Sequence, residues 1–350
     1  MSERRTIVVS GVNLRKGGTL TILRQCLDYL SKNASADHRI VALVHRRDLC
    51  DYPGIEYIEM PWCIRSWIHR LWAEYVTMHR ISREIAAQDG KKVWLWLSMH
   101  DTTPRVEAEH QEVYCHTSFP FLKLRLRDWV MDPKIPLFAC FTRWAYRINV
   151  HRNDNLIVQQ NWFADALSRK VGFPREKIRV IRPVSAVPPE VEGTVPETSV
   201  PTFFFASTAD CHKNFEILCE AAILLQKEVG EGVFKVKLTV RGDENRYARW
   251  LFRKWGDVSS IDFHGFESRE DLWRSYMSAF CFVFPSRVET WGLPISEYSA
   301  AHPDGVMLLA DLPYAHETSS GASDVSFFSP DDAFSLKTLM SEALAKYSRK

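Results

Sequence analysis

The chain has 350 residues, of which 46% are hydrophobic and 25% charged, and its formal net charge is only +2. This composition excludes a disordered or low-complexity chain, and the length is sufficient for two domains. Residues 1–185 hold 29 Lys/Arg and 19 Asp/Glu, which gives a formal net charge of +10. Residues 186–350 hold 16 Lys/Arg and 24 Asp/Glu, which gives a formal net charge of −8. We therefore expect the first half to face an anionic partner.

The cysteines and the N-terminus indicate a cytoplasmic protein. The eight cysteines form no C-x-x-C pair, which favours reduced thiols over a disulfide framework or a zinc site. The opening sequence MSERRTIVVSG lacks the apolar region of a signal peptide, and no stretch is long enough to be a transmembrane span.

A strand is predicted at residues 6–10, followed by a glycine-rich turn and a helix with apolar residues at helical spacing. Gly17 and Gly18 lie where a doubly wound domain approaches a phosphate or a sugar. The turn is not a G-x-G-x-x-G fingerprint, so a turn without any ligand is an equally good interpretation of these two residues. A second strand is predicted at residues 40–45.

Residues 62–86 predict a helix in which aromatic and basic side chains are interleaved. One interpretation is a half-buried helix with a solvated basic face, and the other is a helix at a membrane interface. Residues 121–152 add seven Lys/Arg, including Arg125 and Arg127, against two Asp. Together these segments predict contact with an anionic membrane or a lipid-pyrophosphate acceptor. No nucleic-acid motif is present, so nucleic acid is not an expected partner.

Two histidines directly follow predicted strands. His100 follows the strand at 93–98, and His116 follows the strand at 112–115. Residues just past the carboxyl end of a strand in an open α/β sheet are placed to meet a ligand. A lone histidine there is more often a hydrogen-bonded structural residue. Further strands are predicted at 155–160, 177–182, 202–206, 236–240 and 261–264.

A proline-rich segment divides the chain. Residues 183–201 contain five prolines and show no periodicity, which is typical of a linker. The predicted organisation is a first domain over residues 1–185, a linker at 186–201, a second domain over 202–330 and a C-terminal helix at 331–350.

Lys213 and Asn214 lie between the first strand and the first helix of the second domain. An ammonium group at that place could neutralise a pyrophosphate as a point charge. An ordinary surface lysine is the alternative.

The most informative stretch is AFCFVFPSRVETWGLPISEYSA, residues 279–300. A buried strand at its start leads into a loop, where Gly292 permits a sharp turn and Pro294 suits the first turn of a helix. Backbone N–H groups of Gly292, Leu293 and Ile295 at that helix start can hold a phosphate. Carboxylates at Glu289 and Glu297 can accept hydrogen bonds from the hydroxyls of a sugar and a ribose.

The stretch Glu289-Thr-Trp-Gly-Leu-Pro-Ile-Ser-Glu297, preceded by Pro285-Ser286, resembles the E-x7-E segment of retaining glycosyltransferases of the GT4 type. The resemblance is strong over residues 202–332 and extends more loosely to the double glycine, the segment YCHTSFP and His212-Lys213-Asn214. It implies the α/β GT-B fold, in which two Rossmann-like doubly wound domains face each other across a cleft. It also implies transfer of a sugar from a nucleotide-sugar donor with retention of configuration.

The resemblance implies roles for individual residues. His116, Glu289 and Lys213 would be the catalytic residues, with His116 beside the transferred sugar and Glu289 on its hydroxyls. Donor binding would use the set Gly17, Gly18, Lys213, Asn214, Glu289, Gly292, Leu293 and Glu297. Many members carry an arginine where this chain has Ser207, and Arg287 is the candidate substitute for that phosphate contact.

The resemblance leaves several questions open. The chain has no D-x-D pair, so neither a metal nor any other cofactor is expected. A saccharide or lipid-linked acceptor and a role in cell-surface polysaccharide or lipopolysaccharide synthesis are expected, at the inner face of the membrane. A sugar-nucleotide epimerase and a non-catalytic nucleotide-sugar-binding protein are the alternatives.

Overall fold

The computed structural model describes residues 4–184, 188 and 200–347. The chain divides into two compact units, Met1–Pro120 with Cys140–Pro183, and Phe121–Ala139 with Val184–Lys350. Most of the predicted linker at 186–201 lies outside the described residues. The segment 121–139, which the sequence analysis placed in the first domain, packs with the second unit instead.

A parallel sheet forms the centre of the first unit, with the strand order β3-β2-β1-β4-β5-β6-β7. Its strands are β1 (Arg5–Gly11), β2 (His38–Val44), β3 (Ile55–Glu59), β4 (Val93–Ser98), β5 (Ala108–Tyr114), β6 (Asn155–Val158) and β7 (Ile178–Val180). Strand β1 is buried on both faces, because Ile7 and Val9 belong to one apolar cluster and Val8 to another. Side chains alternate along a strand, so an uninterrupted apolar run marks a strand covered on both sides.

Helices lie between these strands along the chain. They are α1 (Gly17–Asn33), α2 (Trp67–Trp72), α3 (Met78–Asp89), α4 (Leu126–Met131), α5 (Lys134–Ala145) and α6 (Asn161–Val171). The helix predicted at 62–86 is present as α2 and α3, joined by a wider π turn at Ala73–Thr77. Helix α4 lies in the segment that packs with the second unit, and α5 leads back to the first.

The second unit has its own parallel sheet, with the order β10-β9-β8-β11-β12-β13. Its strands are β8 (Thr202–Phe205), β9 (Lys235–Leu238), β10 (Ile261–Phe263), β11 (Cys281–Phe284), β12 (Val306–Ala310) and β13 (Asp324–Phe328). Its further helices are α7 (Phe215–Val229), α8 (Arg246–Trp255), α9 (Arg269–Ser278), α10 (Leu293–Ala301), α11 (Pro313–Thr318) and α12 (Ala333–Tyr347). The predicted C-terminal helix at 331–350 corresponds to α12.

Both sheets change winding direction beside their first strand, between β1 and β4 and between β8 and β11. In doubly wound sheets the loops at such a point diverge, and the carboxyl ends of the two strands border a crevice. The predicted α/β fold with two doubly wound units is confirmed. None of the described helices is long and apolar enough to cross a membrane.

Candidate functional site

Buried residues anchor the start of the loop that follows β11. All four residues of β11 are buried, and so is Ser286 immediately after it. The backbone carbonyl of Ser286 accepts a 2.6 Å hydrogen bond from the Tyr314 hydroxyl. This attachment to α11 gives the rest of the loop a fixed base.

Gly292 makes the turn from this loop into α10. Its φ of 83° lies in the left-handed region, and a Cβ there would lie 3.2 Å from Ile295 Cδ1. Only glycine takes this conformation without strain. Helix α10 then begins at Leu293. The prediction of a free N–H at Ile295 is wrong, because this group donates to the Gly292 carbonyl at 2.9 Å.

Lys213 lies beside Glu289, although a separate loop carries it. Lys213 Nζ donates to Glu289 Oε1 at 2.6 Å, and both side chains are about five-sixths buried, with 15% and 16% exposed. The ammonium also lies 5.8 Å from the ring centroid of Phe284. The arrangement brings together the two side chains predicted to meet the donor phosphate and the transferred sugar.

Glu297 lies just after the first turn of α10 and is largely buried. Its Oε2 accepts a 3.2 Å hydrogen bond from the Tyr276 hydroxyl, and its Oε1 lies 3.2 Å from Arg269 Nη2. Burial raises the pKa of the Glu297 carboxyl, and Arg269 and Tyr276 oppose that rise. The carboxylate is therefore held in place by two groups that the sequence analysis did not identify.

Asn214 supports the backbone with its side chain. It starts α7 in the left-handed region, with φ of 62°, and is 1% exposed. Its Nδ2 donates to the carbonyls of Pro285 and Pro330, at 3.2 and 2.9 Å. Its Oδ1 accepts from Arg125 at 3.1 Å. The side-chain amide is thus hydrogen-bonded at both of its atoms, and the backbone N–H also donates to the Cys211 carbonyl at 3.3 Å, so Asn214 supports the loops around the site.

Arg125 and Arg127 are engaged in ion pairs within the second unit. Arg125 also pairs with Asp331, and Arg127 Nη1 lies 2.5 Å from Oε1 of Glu216, in the first turn of α7. Both guanidinium groups are therefore bound within the unit, and contact of these two side chains with an anionic membrane stays a prediction.

Arg287 is held in the same way. Its guanidinium forms a buried ion pair with Asp128, and Nη2 donates to the Cys211 carbonyl at 3.2 Å. The side chains of Arg287 and Asp128 are 6% and 1% exposed. In this arrangement Arg287 braces the loop of Glu289 from a buried position, and its contact with a donor phosphate stays a prediction.

In the first unit, the residues singled out from the sequence meet at one edge of the sheet. Gly17 has a φ of 63° and opens α1 after β1. His100 follows β4 and His116 follows β5, and these three strands are neighbours. The structure therefore brings the double glycine and both histidines to the carboxyl ends of adjacent strands.

The two histidines differ in their surroundings. His100 is buried, and its Nε2 lies 2.9 Å from Ser10 Oγ. Burial and the Arg70 charge hold the pKa of His100 well below its usual range. His116 stacks on Tyr114 at 4.4 Å, and its Nε2 has no hydrogen-bond partner among the described residues. Burial lowers the pKa of His116, so its ring is neutral near pH 7.

Among the described residues, no group of three or more His, Cys, Asp and Glu side chains could hold a metal ion. The sequence analysis missed Asp128, Arg269 and Tyr276, which orient the predicted site residues. It also missed Asp101, for which a signal existed, since this carboxylate directly follows His100 at a strand end.

Residues 200–303 match the family model described as Glycosyl transferases group 1. No curated protein matches the chain. Among solved structures, a glycosyltransferase from Rickettsia africae has a TM-score of 0.68 at 15% identity, covering 98% of this chain and 88% of its own.

Two further structures are similar in fold. The lipopolysaccharide outer core galactosyltransferase WaaB has a TM-score of 0.63 at 11% identity. The match covers 98% of this chain and 91% of WaaB. An alpha,alpha-trehalose-phosphate synthase (UDP-forming) from Burkholderia vietnamiensis has a TM-score of 0.62 at 12% identity. The match covers 97% of this chain and 92% of the synthase.

Proposed function

We propose that this chain, a group 1 glycosyltransferase on a GT-B fold, moves a sugar from a nucleotide-sugar donor to a saccharide or lipid-linked saccharide with retention of configuration. The observation that carries the proposal is the loop from Ser286 to Glu297. It combines a strand end, a left-handed glycine, a helix start and two carboxylates, one of them paired with Lys213.

The donor would occupy this loop in a defined orientation. Its phosphate charge would meet Lys213 and the backbone N–H groups at Gly292 and Leu293, where the helix dipole favours an anion. The Glu297 carboxylate would accept hydrogen bonds from the ribose hydroxyls, and Glu289 from the sugar hydroxyls. These groups stabilise the charge that grows on the leaving phosphate as the glycosidic bond breaks.

Gly17, Gly18 and His116 are the remaining proposed contacts. The N–H groups at Gly17 and Gly18 open α1, so they would add positive potential for the phosphates. The neutral ring of His116 would form a hydrogen bond with the transferred sugar through Nε2. In this mechanism Lys213 and the two helix starts would provide the electrostatic stabilisation, without a metal ion.

A screen of donors tests this function directly. The melting temperature of the protein would be measured with GDP-, UDP- and dTDP-sugars. The protein would then be incubated with the donor that stabilises it most, with and without oligosaccharide or lipid-linked acceptors. We expect one donor class to raise the melting temperature and new glycosidic products to form only with acceptor. Isomerised sugar nucleotide without acceptor would indicate an epimerase, and donor binding without any product would indicate a binding protein.

The proposed acceptor is a cell-surface polysaccharide or lipopolysaccharide that grows at the inner face of a membrane. An exposed apolar surface on α2 and the following turn supports it. This surface consists of Trp67, Ile68, Trp72 and Val76, and Ile68 is 77% exposed. Exposed apolar clusters of this kind mark sites of interaction, and tryptophan suits the membrane interface.

Basic side chains border this surface. Arg65 precedes α2 and is exposed, and Trp67 lies 4.8 Å from the ring of Phe141, which precedes the exposed Arg143. Sedimentation with vesicles tests the contact, with Trp67→Gln/Trp72→Gln as the variant and Trp250→Gln as the control. We expect wild type and control to bind anionic vesicles at low salt, and the double variant to bind less. Equal binding to neutral and anionic vesicles would argue against it.

A further inference from the structure

Asp101 has a left-handed backbone conformation, which is uncommon outside glycine. It follows His100 beyond the end of β4, and its φ is 73°. Left-handed backbone is uncommon for residues other than glycine, and it persists where the surroundings impose it. The bonds of the Asp101 side chain provide those surroundings.

The Asp101 carboxylate binds the segment that carries His116. Oδ1 accepts from the backbone N–H groups of His116 and Thr117, at 2.5 and 2.8 Å. Oδ2 accepts from the Thr117 hydroxyl at 2.8 Å. The Tyr146 hydroxyl lies 2.9 Å from Oδ1 and from the Thr117 carbonyl. One carboxylate therefore ties the end of β4, the segment after β5 and Tyr146 together.

These bonds leave the His116 ring little freedom. Its backbone N–H is fixed by Asp101, and its ring stacks on Tyr114 with an interplanar angle of 19°. Nε2 is buried and has no partner among the described residues. An unpaired buried nitrogen is costly, and a hydroxyl of a bound sugar would remove that cost.

We propose that Asp101 is a positioning residue that holds His116 so that Nε2 stays available to the transferred sugar. This proposal rests on the proposed function, because it assumes that His116 contacts the sugar. Positioning matters here because a displacement of about 1 Å can cost on the order of 10²-fold in rate.

The substitutions Asp101→Asn, Asp101→Gly and Asp101→Ala distinguish the effect of the carboxylate from the effect of the left-handed backbone. Asparagine tolerates the left-handed region and keeps one acceptor oxygen, glycine keeps only the backbone freedom, and alanine keeps neither. We expect kcat to fall about 10²-fold in the glycine and alanine variants and by less in the asparagine variant. The dissociation constant for the donor nucleotide should stay unchanged in all three.

A matched control is Asp154→Ala. Asp154 Oδ2 accepts from the backbone N–H of Gln111 at 3.2 Å and lies 3.0 Å from His110 Nδ1, so it supports the same strand, β5, away from His116. It should keep the kcat of the wild-type enzyme. Melting temperatures of all variants show whether any loss of kcat follows from unfolding.

A double-mutant cycle with His116→Ala decides whether Asp101 acts through that histidine. We expect Asp101→Gly to cost about 10²-fold in the wild-type background and nothing further in the His116→Ala background, since coupled residues are not additive. Additive losses, or a normal kcat in the folded Asp101→Gly variant, would overturn the positioning role. An inactive wild-type enzyme would instead refute the proposed function, so the two failures are distinguishable.

Discussion

Lys213 Nζ donates to Glu289 Oε1 at 2.6 Å, across two loops that are 76 positions apart in the chain. The pair joins the positive charge proposed for the donor phosphate to the carboxylate proposed for the sugar. When a donor binds, its phosphate would become a second anionic partner of Lys213, and Glu289 would be free to accept from sugar hydroxyls. Each group thus holds the other in place until the donor arrives.

We predict that Lys213→Ala lowers kcat more than it raises KM, because the phosphate charge is greatest in the transition state. Loss of one such stabilising donor typically costs about 10²–10³-fold. Steady-state kinetics measure the effect, with Lys254→Ala as the control, since Lys254 pairs with Glu220 on the surface.

Ser207→Arg in the Lys213→Ala background should restore part of the lost rate, because an arginine there could reach the same phosphate oxygens with two bonds. Near-normal kinetics of Lys213→Ala would place the phosphate elsewhere.

We predict that Glu297→Gln weakens binding of the donor nucleotide about ten- to a hundredfold, because a hydrogen bond to a charged group is worth about 1.5–3 kcal/mol. Calorimetric titration measures the change. Glu342→Gln on the exposed face of α12 serves as the control. Wild-type affinity in Glu297→Gln would contradict the ribose contact.

The raised pKa of Glu297 has a consequence for stability. In the folded state this carboxyl keeps its proton to a higher pH than in the unfolded chain. Its contribution to stability is therefore full below the unfolded pKa of about 4.3 and is lost as pH rises through the folded pKa. We expect Glu297→Gln, which cannot ionise, to gain stability relative to wild type between pH 4 and pH 7. Urea unfolding at both pH values measures the difference, and a constant difference would contradict the buried environment.

Asp128→Ala should destabilise the protein by about 3–5 kcal/mol, because it leaves the buried Arg287 without its partner. Asp28→Ala is the control, since Asp28 forms an exposed pair with Lys32 and should change the free energy of unfolding little. The double change Asp128→Leu/Arg287→Met should recover part of the loss in urea unfolding. No loss in Asp128→Ala would mean that this pair does not brace the loop.

We predict that transfer activity survives an excess of EDTA, since Lys213 and the helix start at Leu293 would carry the electrostatic work of a metal ion. Product formation would be followed with EDTA, with added Mg²⁺ and with added Mn²⁺. A complete loss that added metal restores would contradict this role for Lys213.

The sequence by itself determined the local chemistry of the second unit. An apolar run, a glycine and a proline predicted the strand β11, the left-handed turn at Gly292 and the start of α10, because these preferences act between residues close in the chain. The strands β3, β12 and β13 were not predicted. The segment Val306–Ala310 is a short apolar run, and such a run does not by itself distinguish a strand from a buried helix.

Only the tertiary structure decided which charges meet. In the sequence, Arg125 and Arg127 belong to a basic stretch without an obvious partner. In the structure, each side chain pairs with a carboxylate beyond residue 213. Arg287 and Asp128 are 159 positions apart, and the Asp101 carboxylate reaches a segment on the neighbouring strand. An ion pair or a hydrogen bond depends on distance in space, and the order of strands in the sheets sets that distance. The sequence therefore determined which chemical groups this protein carries, and the folded sheets decided which of them are held and which remain available.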